Sequence, residues 1–454
     1  MAKQFSKTKL AAAVGAAAFG AGVAAPAGAV VVVGGNDGWE VSFDGNVNAF
    51  YTVGDYDQGY VTESVGKDSS RVHSGFLPAF FSFNVKSPTI NGMTGTARIS
   101  FAPTVQTGGA KTQFSAQGNS SANINGINGA TIDTREVVFN LSGAFGEVSV
   151  GRTLSLYGRN AILNDMTLFG VGFAPGADHF GSVTFGRVGH GYTYPDFAAR
   201  FQYTTPNVNG FQAAIGMYDP ATIVGVTNRS DDGLNGGGFL DETDTPRFEM
   251  ELSYSTSFEG GSAKFWMDGL WQEIDSSCSA VRVKTADPVA ALNAGDGGAA
   301  LRENCGKATA EAWGIGTKLA YMGFEAVGYY HENQGLGLTA QFTGAGFYND
   351  LNNTVQERDG DGYYVQGTYT FDGKTKVGVS YGEGNLDSVA GSAIAAWNGN
   401  ATAVERSLWT VGVYHDVTSW LKLIAEYNHG EVDYNNGTNN AEADTLSVGG
   451  FMFW

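Results

Sequence analysis

The stretch ADTLSVGGFMFW, residues 443–454, ends the chain and alternates between two kinds of residue. Apolar side chains and one glycine occupy every second position, and these are Leu446, Val448, Gly450, Met452 and Trp454. Small and polar residues stand between them. This period of two is typical of a β-strand with one face against an apolar environment. An edge strand in a soluble sandwich would give the same local pattern, so the rest of the chain must decide.

The same alternation recurs along the chain in units of roughly ten residues, which is typical of an outer-membrane barrel. The segment WEVSFDGNVNAFYTV, which begins at Trp39, places aromatic and aliphatic residues on one face and acidic and amide residues on the other. The same division into two faces occurs in the segments TGTARISF, PRFEMELSYS, DGYYVQGTYTF and SLWTVGVYHDV. A soluble sandwich also alternates, but it keeps its polar residues on the outer face.

Short turns and long polar segments alternate strictly between these strands. The short turns lie at 91–92, 143–146, 206–210, 259–261, 322–323, 372–374 and 418–419. The long segments lie near 54–75, 103–131, 153–196, 219–246, 274–309, 334–361, 384–405 and 431–443. Fifteen connections predict 16 strands, provided that the extended piece SVTFGRVGHGYTY is assigned to the third long segment. An even count places both termini at the same end of a closed barrel.

The N-terminus has the pattern of an export signal. Lys3, Lys7 and Lys9 precede an apolar run rich in Ala and Gly, and Ala27-Gly28-Ala29 is a small-x-small cleavage signal. A transmembrane anchor is the alternative. We expect residues 1–29 to be a cleaved signal peptide and residues 30–454 to form the barrel.

Composition excludes several classes of partner and fold. The formal net charge is −19, with 45 acidic against 26 basic residues, whereas nucleic-acid binding needs basic patches. No second stretch is both long enough and apolar enough for a membrane-spanning helix. Membrane insertion therefore requires closed strands. The sequence predicts an all-β fold, a 16-stranded antiparallel transmembrane β-barrel.

The cysteines and histidines of the chain form no recognisable catalytic motif. Cys278 and Cys305 lie in one apparent loop, where an oxidising envelope would favour a disulfide. Two free thiols are the alternative. The six histidines are scattered, and neither H-E-x-x-H nor G-x-S-x-G occurs. We therefore expect no enzymatic activity, no cofactor and no dedicated metal site.

Several segments, in their order along the chain, resemble the general porins of Gram-negative outer membranes. FGEVSVGR, residues 145–152, resembles the porin strand that leads into the third loop. FGRVGHGYTY, residues 185–194, resembles the segment that leaves that loop, and RFQYTTPNVNGFQAAIGMY, residues 200–218, resembles a following strand–turn–strand unit. The last strand is similar to the family's signal for the barrel-assembly machinery, with Trp454 where Phe is usual.

The resemblance implies a function and a set of site residues. It implies a trimeric diffusion channel in contact with outer-membrane lipid and lipopolysaccharide, whose third loop folds inward and narrows the lumen. Acids of that loop, here Asp165 and Asp178, would face wall arginines. Arg152 and Arg187 match the family motifs, and the alternation places Arg98 and Arg200 on the lumen-facing side.

The most direct interpretation is passive diffusion of small hydrophilic solutes and ions across the outer membrane. A solute-specific porin is the nearest alternative. A barrel-borne adhesin, an outer-membrane lipase and a secreted soluble β-protein are alternatives from other classes. The sequence does not identify the solute.

Overall fold

A computed structural model describes most of the chain. The described residues are 30–57, 68–103, 105, 132–174, 183–221, 223–226, 238–240, 245–284, 299–339, 341, 346–349, 355–388, 404–433 and 440–454. The predicted signal peptide, residues 1–29, and Asp178 lie outside them. The strands, turns and contacts of the protein are those of these ranges.

Sixteen antiparallel strands form a closed barrel, as the sequence predicted. They are β1 Glu40–Tyr56, β2 in two segments Asp68–His73 and Phe80–Lys86, β3 Thr94–Pro103, β4 Ile132–Gly143, β5 Gly146–Leu154, β6 Phe197–Thr204, β7 Phe211–Tyr218, β8 Arg247–Phe258, β9 Gly261–Lys284, β10 Ala299–Tyr321, β11 Phe324–Gln334, β12 Asp359–Phe371, β13 Thr375–Leu386, β14 Val404–Asp416, β15 Leu421–Asp433 and β16 Ala441–Phe453. A short strand, Val30–Gly34, adds to the edge of β1. Two small hairpins, Ile223–Val226 with Gly238–Leu240 and Phe347–Asn349 with Val355–Glu357, belong to long connections.

The C-terminal strand closes the barrel. β16 pairs with β1 from Asn46–Phe453 to Tyr56–Ala443. Trp454 continues this pairing, because its backbone exchanges two hydrogen bonds of 3.1 Å with Gly45. Its ring lies 6.4 Å from that of Phe81. The aromatic end is therefore fixed in the seam, and neither β1 nor β16 is left as an open edge.

The two faces of the wall have opposite chemistry. On β1, Val47 and Tyr51 are about half exposed, whereas Asn48 and Thr52 are buried. The same division follows the other strands, so large apolar residues cover the outside and polar residues point inward. A water-soluble protein does not expose so continuous an apolar belt. In lipid the belt is satisfied, because closed strands leave no backbone group unpaired.

The seven predicted short turns are confirmed in position. In four of them, at 91–92, 209–210, 322–323 and 372–373, two successive residues have positive φ, as two-residue hairpins require. The segment 274–309, predicted as one loop, was wrong in extent. β9 continues to Lys284 and β10 begins at Ala299. Its polar sequence does not reveal these strands, because outside the membrane neither face needs to be apolar.

The third connection joins β5 to β6 over residues 155–196. It contains a short helix, α1 Arg159–Asn164, and a 3-10 turn, Met166–Phe169. No helix in the described ranges has the length and apolar character needed to cross a membrane.

Candidate functional site: the third connection and the inner wall

Two buried carboxylates of the wall bind the backbone of the third connection. Glu249 on β8 accepts hydrogen bonds from the N–H groups of Leu156 and Tyr157, at 2.7 and 2.8 Å. Glu426 on β15 accepts from Val171 and Gly172, at 2.7 and 2.9 Å. Hydrogen bonds to a charged acceptor are stronger than neutral ones. Because β8 and β15 are far apart around the barrel, the connection is held at two distant points of the inner face.

Strand β12 supplies a third point of attachment between these two. The side chain of Gln366 accepts from Met166 N–H at 2.9 Å and donates to the carbonyl of Asn164 at 2.8 Å. The hydroxyl of Tyr364 donates to the carbonyl of Ala161 at 2.8 Å. The end of α1 and the start of the 3-10 turn therefore contact the wall through paired donors and acceptors.

Apolar packing accompanies these hydrogen bonds. The inner face carries Trp266, Tyr329 and Tyr364, which pack with buried residues of the connection such as Leu168 and Tyr192. Close approach also requires glycine at position 170, where a Cβ would lie 1.7 Å from Glu426 Oε1. The connection is thus fitted to this part of the wall by shape as well as by hydrogen bonds.

Two of the predicted site residues, Asp165 and Arg187, lie together within the connection. Arg187 Nε is 3.9 Å from Asp165 Oδ1, and both side chains are fully buried. Asp165 also accepts from the hydroxyls of Tyr192, at 2.8 Å, and Thr167, at 2.7 Å. This carboxylate therefore orders the 3-10 turn and the returning half of the connection.

Arg187 extends from the connection to the wall between β13 and β14. It donates to the carbonyl of Leu408 at 2.8 Å, to Thr410 Oγ1 at 3.1 Å and to the hydroxyl of Ser380. A guanidinium has five N–H donors in a fixed planar fork, which suits several acceptors at once. Arg187 thus provides a further point of attachment between the connection and the barrel.

The structure does not bring Arg98 and Arg200 into the same group. Arg98 points inward from β3 and pairs with Asp44 and Glu136 at 2.8 and 2.7 Å, near the short-turn end of the barrel. Arg200 on β6 donates to the carbonyl of Leu154 and lies 5.8 Å from the ring centre of Tyr218. Arg98 and Arg187 therefore lie apart from the other two, whereas Arg200 lies over the same Tyr218 ring as Arg247, which acts with Arg152 on Asp196.

Arg152 belongs to a charged group that the sequence analysis missed. Its register places it beside Val137 and Ala199, and its charge acts on Asp196 at the end of the third connection. Arg135 and Arg247 also act on Asp196. Burial raises the pKa of the Asp196 carboxyl, and the three arginines oppose that shift.

Two signals could have identified part of this group. Arg247 has the inward parity of β8, and Asp196 is an acid within the predicted third long segment. Arg135 could not be found by parity, because it is the extra residue of a β-bulge on β4: Ser100 pairs with Glu136 and Phe101 with Thr134. Asp178 lies outside the described residues.

Comparison with known proteins agrees with this architecture. The family model described as Gram-negative porin matches residues 11–438. No curated protein sequence matches the chain. Among solved structures, the outer membrane channel DcaP of Acinetobacter baumannii is similar, with a TM-score of 0.62, 13% identity, and coverage of 93% of this chain and 100% of that one.

Two further structures are similar at the level of fold. One is an anion-selective porin from Comamonas acidovorans, with a TM-score of 0.53 and 12% identity, which covers 92% of this chain and 100% of that one. The other is Salmonella typhi OmpF in complex with daunomycin, with a TM-score of 0.50, 13% identity, and coverage of 94% and 100%. With the closed barrel, its apolar belt and the family match over most of its length, the chain belongs to the Gram-negative porin family and is a diffusion channel of the outer membrane.

Proposed function

We propose that the third connection folds into the lumen and sets the width and charge of a passive path for small hydrophilic solutes and ions. The observation that carries this proposal is the attachment of the connection to Glu249 and Glu426, on distant strands of the inner face. A segment held at both points crosses the interior of a closed barrel. Narrowing by such a segment limits the size of the solute and brings fixed charges close to it.

The charged part of this constriction is best assigned to Asp196 and the arginines around it. Asp196 ends the connection, and Arg135, Arg152 and Arg247 come from three wall strands. Opposed charges across a narrow gap produce a transverse field that orders ions and polar solutes. The predicted roles of Arg98, Arg200 and Asp178 in the constriction remain proposals. Arg187 and Asp165 support the segment from within, because Arg187 binds Ser380, Leu408 and Thr410 of the wall and Asp165 binds Thr167 and Tyr192 of the connection.

A single substitution with a matched control tests the role of the connection. Glu426→Ala removes the acceptor for two backbone N–H groups, so we expect the connection to loosen and the single-channel conductance in planar bilayers to rise severalfold. Glu431→Ala, on the outer face of the same strand and exposed, removes the same charge and should leave conductance unchanged. A wild-type conductance in folded Glu426→Ala would contradict the proposal.

Assembly and chemistry are proposed on the family resemblance. We infer a homotrimer, and the small outward residues Gly45, Ala49 and Ala97 are consistent with close contact between barrels. Native mass spectrometry in detergent would test this, and a monomer would contradict it. We also infer a non-enzymatic channel that is exported by a signal peptide, residues 1–29, which is then cleaved. Trp454 would be recognised by the assembly machinery, and ester hydrolysis by the purified channel would refute the non-enzymatic assignment.

A further inference from the structure

Four lysines lie on the inner face near the short-turn end of the barrel, and the third connection does not account for them. They are Lys264 on β9, Lys318 on β10, Lys376 on β13 and Lys422 on β15. Among the described inward residues of β9 to β15 within four positions of a short turn, the carboxylates are Glu325 and Asp416. Asp268 and Glu426 lie deeper on the same face, and Glu251 of β8 acts on Lys264. At the depth of the short turns the band therefore has four cations and two acids, which is an excess of positive charge.

The lysines are placed close to one another at an energetic cost. Lys264 stands directly opposite Lys318 in the β9–β10 ladder, and like charges in that position destabilise a sheet. Lys376 lies within electrostatic range of both Lys318 and Lys422. Stability of the wall alone does not account for two like charges that stand directly opposite each other.

Glu325 neutralises its two neighbours only in part. Its oxygens are 2.9 Å from Lys318 Nζ and 3.9 Å from Lys376 Nζ, so one carboxylate is divided between two ammonium groups. The side chain of Lys376 is 40% exposed and that of Lys318 is 32% exposed, so both remain in contact with solvent. Lys422 has a partner of its own, Asp416 at 2.5 Å.

The four lysines lie next to the side of the third connection that faces the short-turn end of the barrel. Lys264 Nζ donates to Asn160 Oδ1 of α1 at 2.5 Å, and Lys422 Nζ lies 5.8 Å from the ring centre of Phe169 in the 3-10 turn. Short turns of such barrels face the periplasm. A solute that passes the connection therefore meets this row before the periplasmic mouth, or immediately after entering from it.

The opposite wall has the opposite excess. The inward residues of β1–β5 at the same end include three carboxylates and two cations, which are Glu40, Asp44, Glu147, Lys86 and Arg98. In a barrel of sixteen strands, β2 and β10 lie across the lumen from each other. The periplasmic vestibule therefore has one positive and one negative side, and an anion is directed to the lysines.

We propose that Lys264, Lys318, Lys376 and Lys422 form an anion-binding row in the periplasmic vestibule, which takes small solutes with carboxylate or phosphate groups. This inference rests on the channel function of the family and not on the constriction proposed above. The ammonium groups replace part of the water around the anion's oxygens. Their spacing over several strands lets a multivalent anion bind two lysines at once.

Paired substitutions in planar bilayers test the row. Lys318→Gln with Lys376→Gln removes two inward charges, and Lys307→Gln with Lys374→Gln removes two exposed charges outside the lumen. From the reversal potential in a KCl gradient, we expect the inward pair to lower the chloride-to-potassium permeability ratio by about threefold per lysine. The exposed pair should keep the wild-type ratio. Equal ratios in the two pairs would overturn the proposal.

A second measurement uses the multivalent anions themselves. Citrate or inorganic phosphate added from the periplasmic side should reduce the chloride current of the wild type, and the inward pair should lose this block. Lys318→Arg with Lys376→Arg keeps both charges and should retain it. Folding of each variant is checked by the heat-modifiable band on gels. If the double variant does not fold, Lys376→Gln alone is measured in its place. A folded protein without any current would instead contradict the channel function itself.

Discussion

The barrel wall and the third connection lie in direct contact but are stabilised in different ways. Each strand of the wall pairs with two neighbours through continuous ladders, such as the eleven pairs that join β10 to β11. The connection depends on individual side chains of the wall, chiefly Glu249, Gln366 and Glu426. Backbone ladders do not depend on side-chain identity, whereas each of these attachments is lost with one residue.

The difference means that the two regions should respond to mutation independently. Substitutions that keep the outer face apolar should leave the wall intact. Substitutions at the attachment points should change the channel without unfolding the barrel. Variants that alter only the wall or only the connection test this separation.

The largest effect is expected from a charge on the outer face. Ile215 on β7 is 58% exposed on the apolar belt, and Arg at such a position costs about 2–4 kcal/mol at the bilayer midplane. Ile215→Arg should therefore lower the folded fraction in lipid vesicles, measured by the heat-modifiable band during urea titration.

A matched control lies three residues away on the same strand. Gln212 points inward and is only partly buried, so Gln212→Arg adds the same side chain on the wet side. It should fold as well as the wild type. If both variants lose the same stability, the two-faced description of the wall is wrong.

These two residues also show why the wall could be predicted from the sequence. Ile215 and Gln212 differ in parity, and parity alone assigns the face because side chains alternate along a strand. The short turns are equally local, since Asn91-Gly92 and Asp372-Gly373 favour the positive φ that a tight hairpin needs. The strand count, the turns and the apolar belt followed from such local rules.

The candidate site depended on contacts that the sequence does not encode locally. Parity placed Glu249 inward, but the backbone groups that it binds lie about 90 positions away in the chain. Arg98 was also placed inward, yet its partners Asp44 and Glu136 come from other strands. A resemblance motif identified Arg187 but not its burial against Leu408. Long-range pairing of this kind is set by the closed barrel and not by any one segment.

The next prediction concerns the fit between the connection and its main attachment. A Cβ at Gly170 would lie 1.7 Å from Glu426 Oε1, so Gly170→Ala must displace one of them, at a cost of about 1–3 kcal/mol. We expect a folded barrel with a higher single-channel conductance and faster proteolysis within the connection. Gly367→Ala is the control, because a Cβ there has no atom within 4 Å. A Gly170→Ala channel with wild-type conductance would show that the attachment does not set the path.

A smaller, pH-dependent effect is expected at His190, which is buried in the connection. Burial, together with the charges of Arg406 and Arg187, lowers the pKa of His190 to about 3. The unfolded imidazole has the ordinary pKa of about 6.5. Its contribution to stability is therefore complete above about pH 6.5 and is lost as the pH falls towards 3, by about 1.4 kcal/mol per pH unit.

His190→Asn isolates this effect from the other titrating groups. His190 Nδ1 lies 3.0 Å from the carbonyl of Val188, which requires a donor there, and the amide of Asn can supply one without titrating. We expect acidification to about pH 5 to open the wild-type channel more than the variant. Parallel conductance curves for the two proteins would exclude His190 as the cause.

The smallest effect on conduction is expected from the predicted bond between Cys278 and Cys305. The backbone places them on β9 and β10, between the pairs Ser276–Gly306 and Ser279–Asn304, where the register shifts. Their side chains lie outside the described part of the structure. Neighbouring antiparallel strands hold opposite Cβ atoms about 4.5–5.5 Å apart, so a disulfide needs only a small local adjustment.

Intact mass before and after reduction should show the loss of one bond, and alkylation of both thiols without reductant would contradict it. Reduction should leave conductance unchanged, because the β9–β10 ladder continues unbroken from Ser276 down to Gly261 without help from the disulfide.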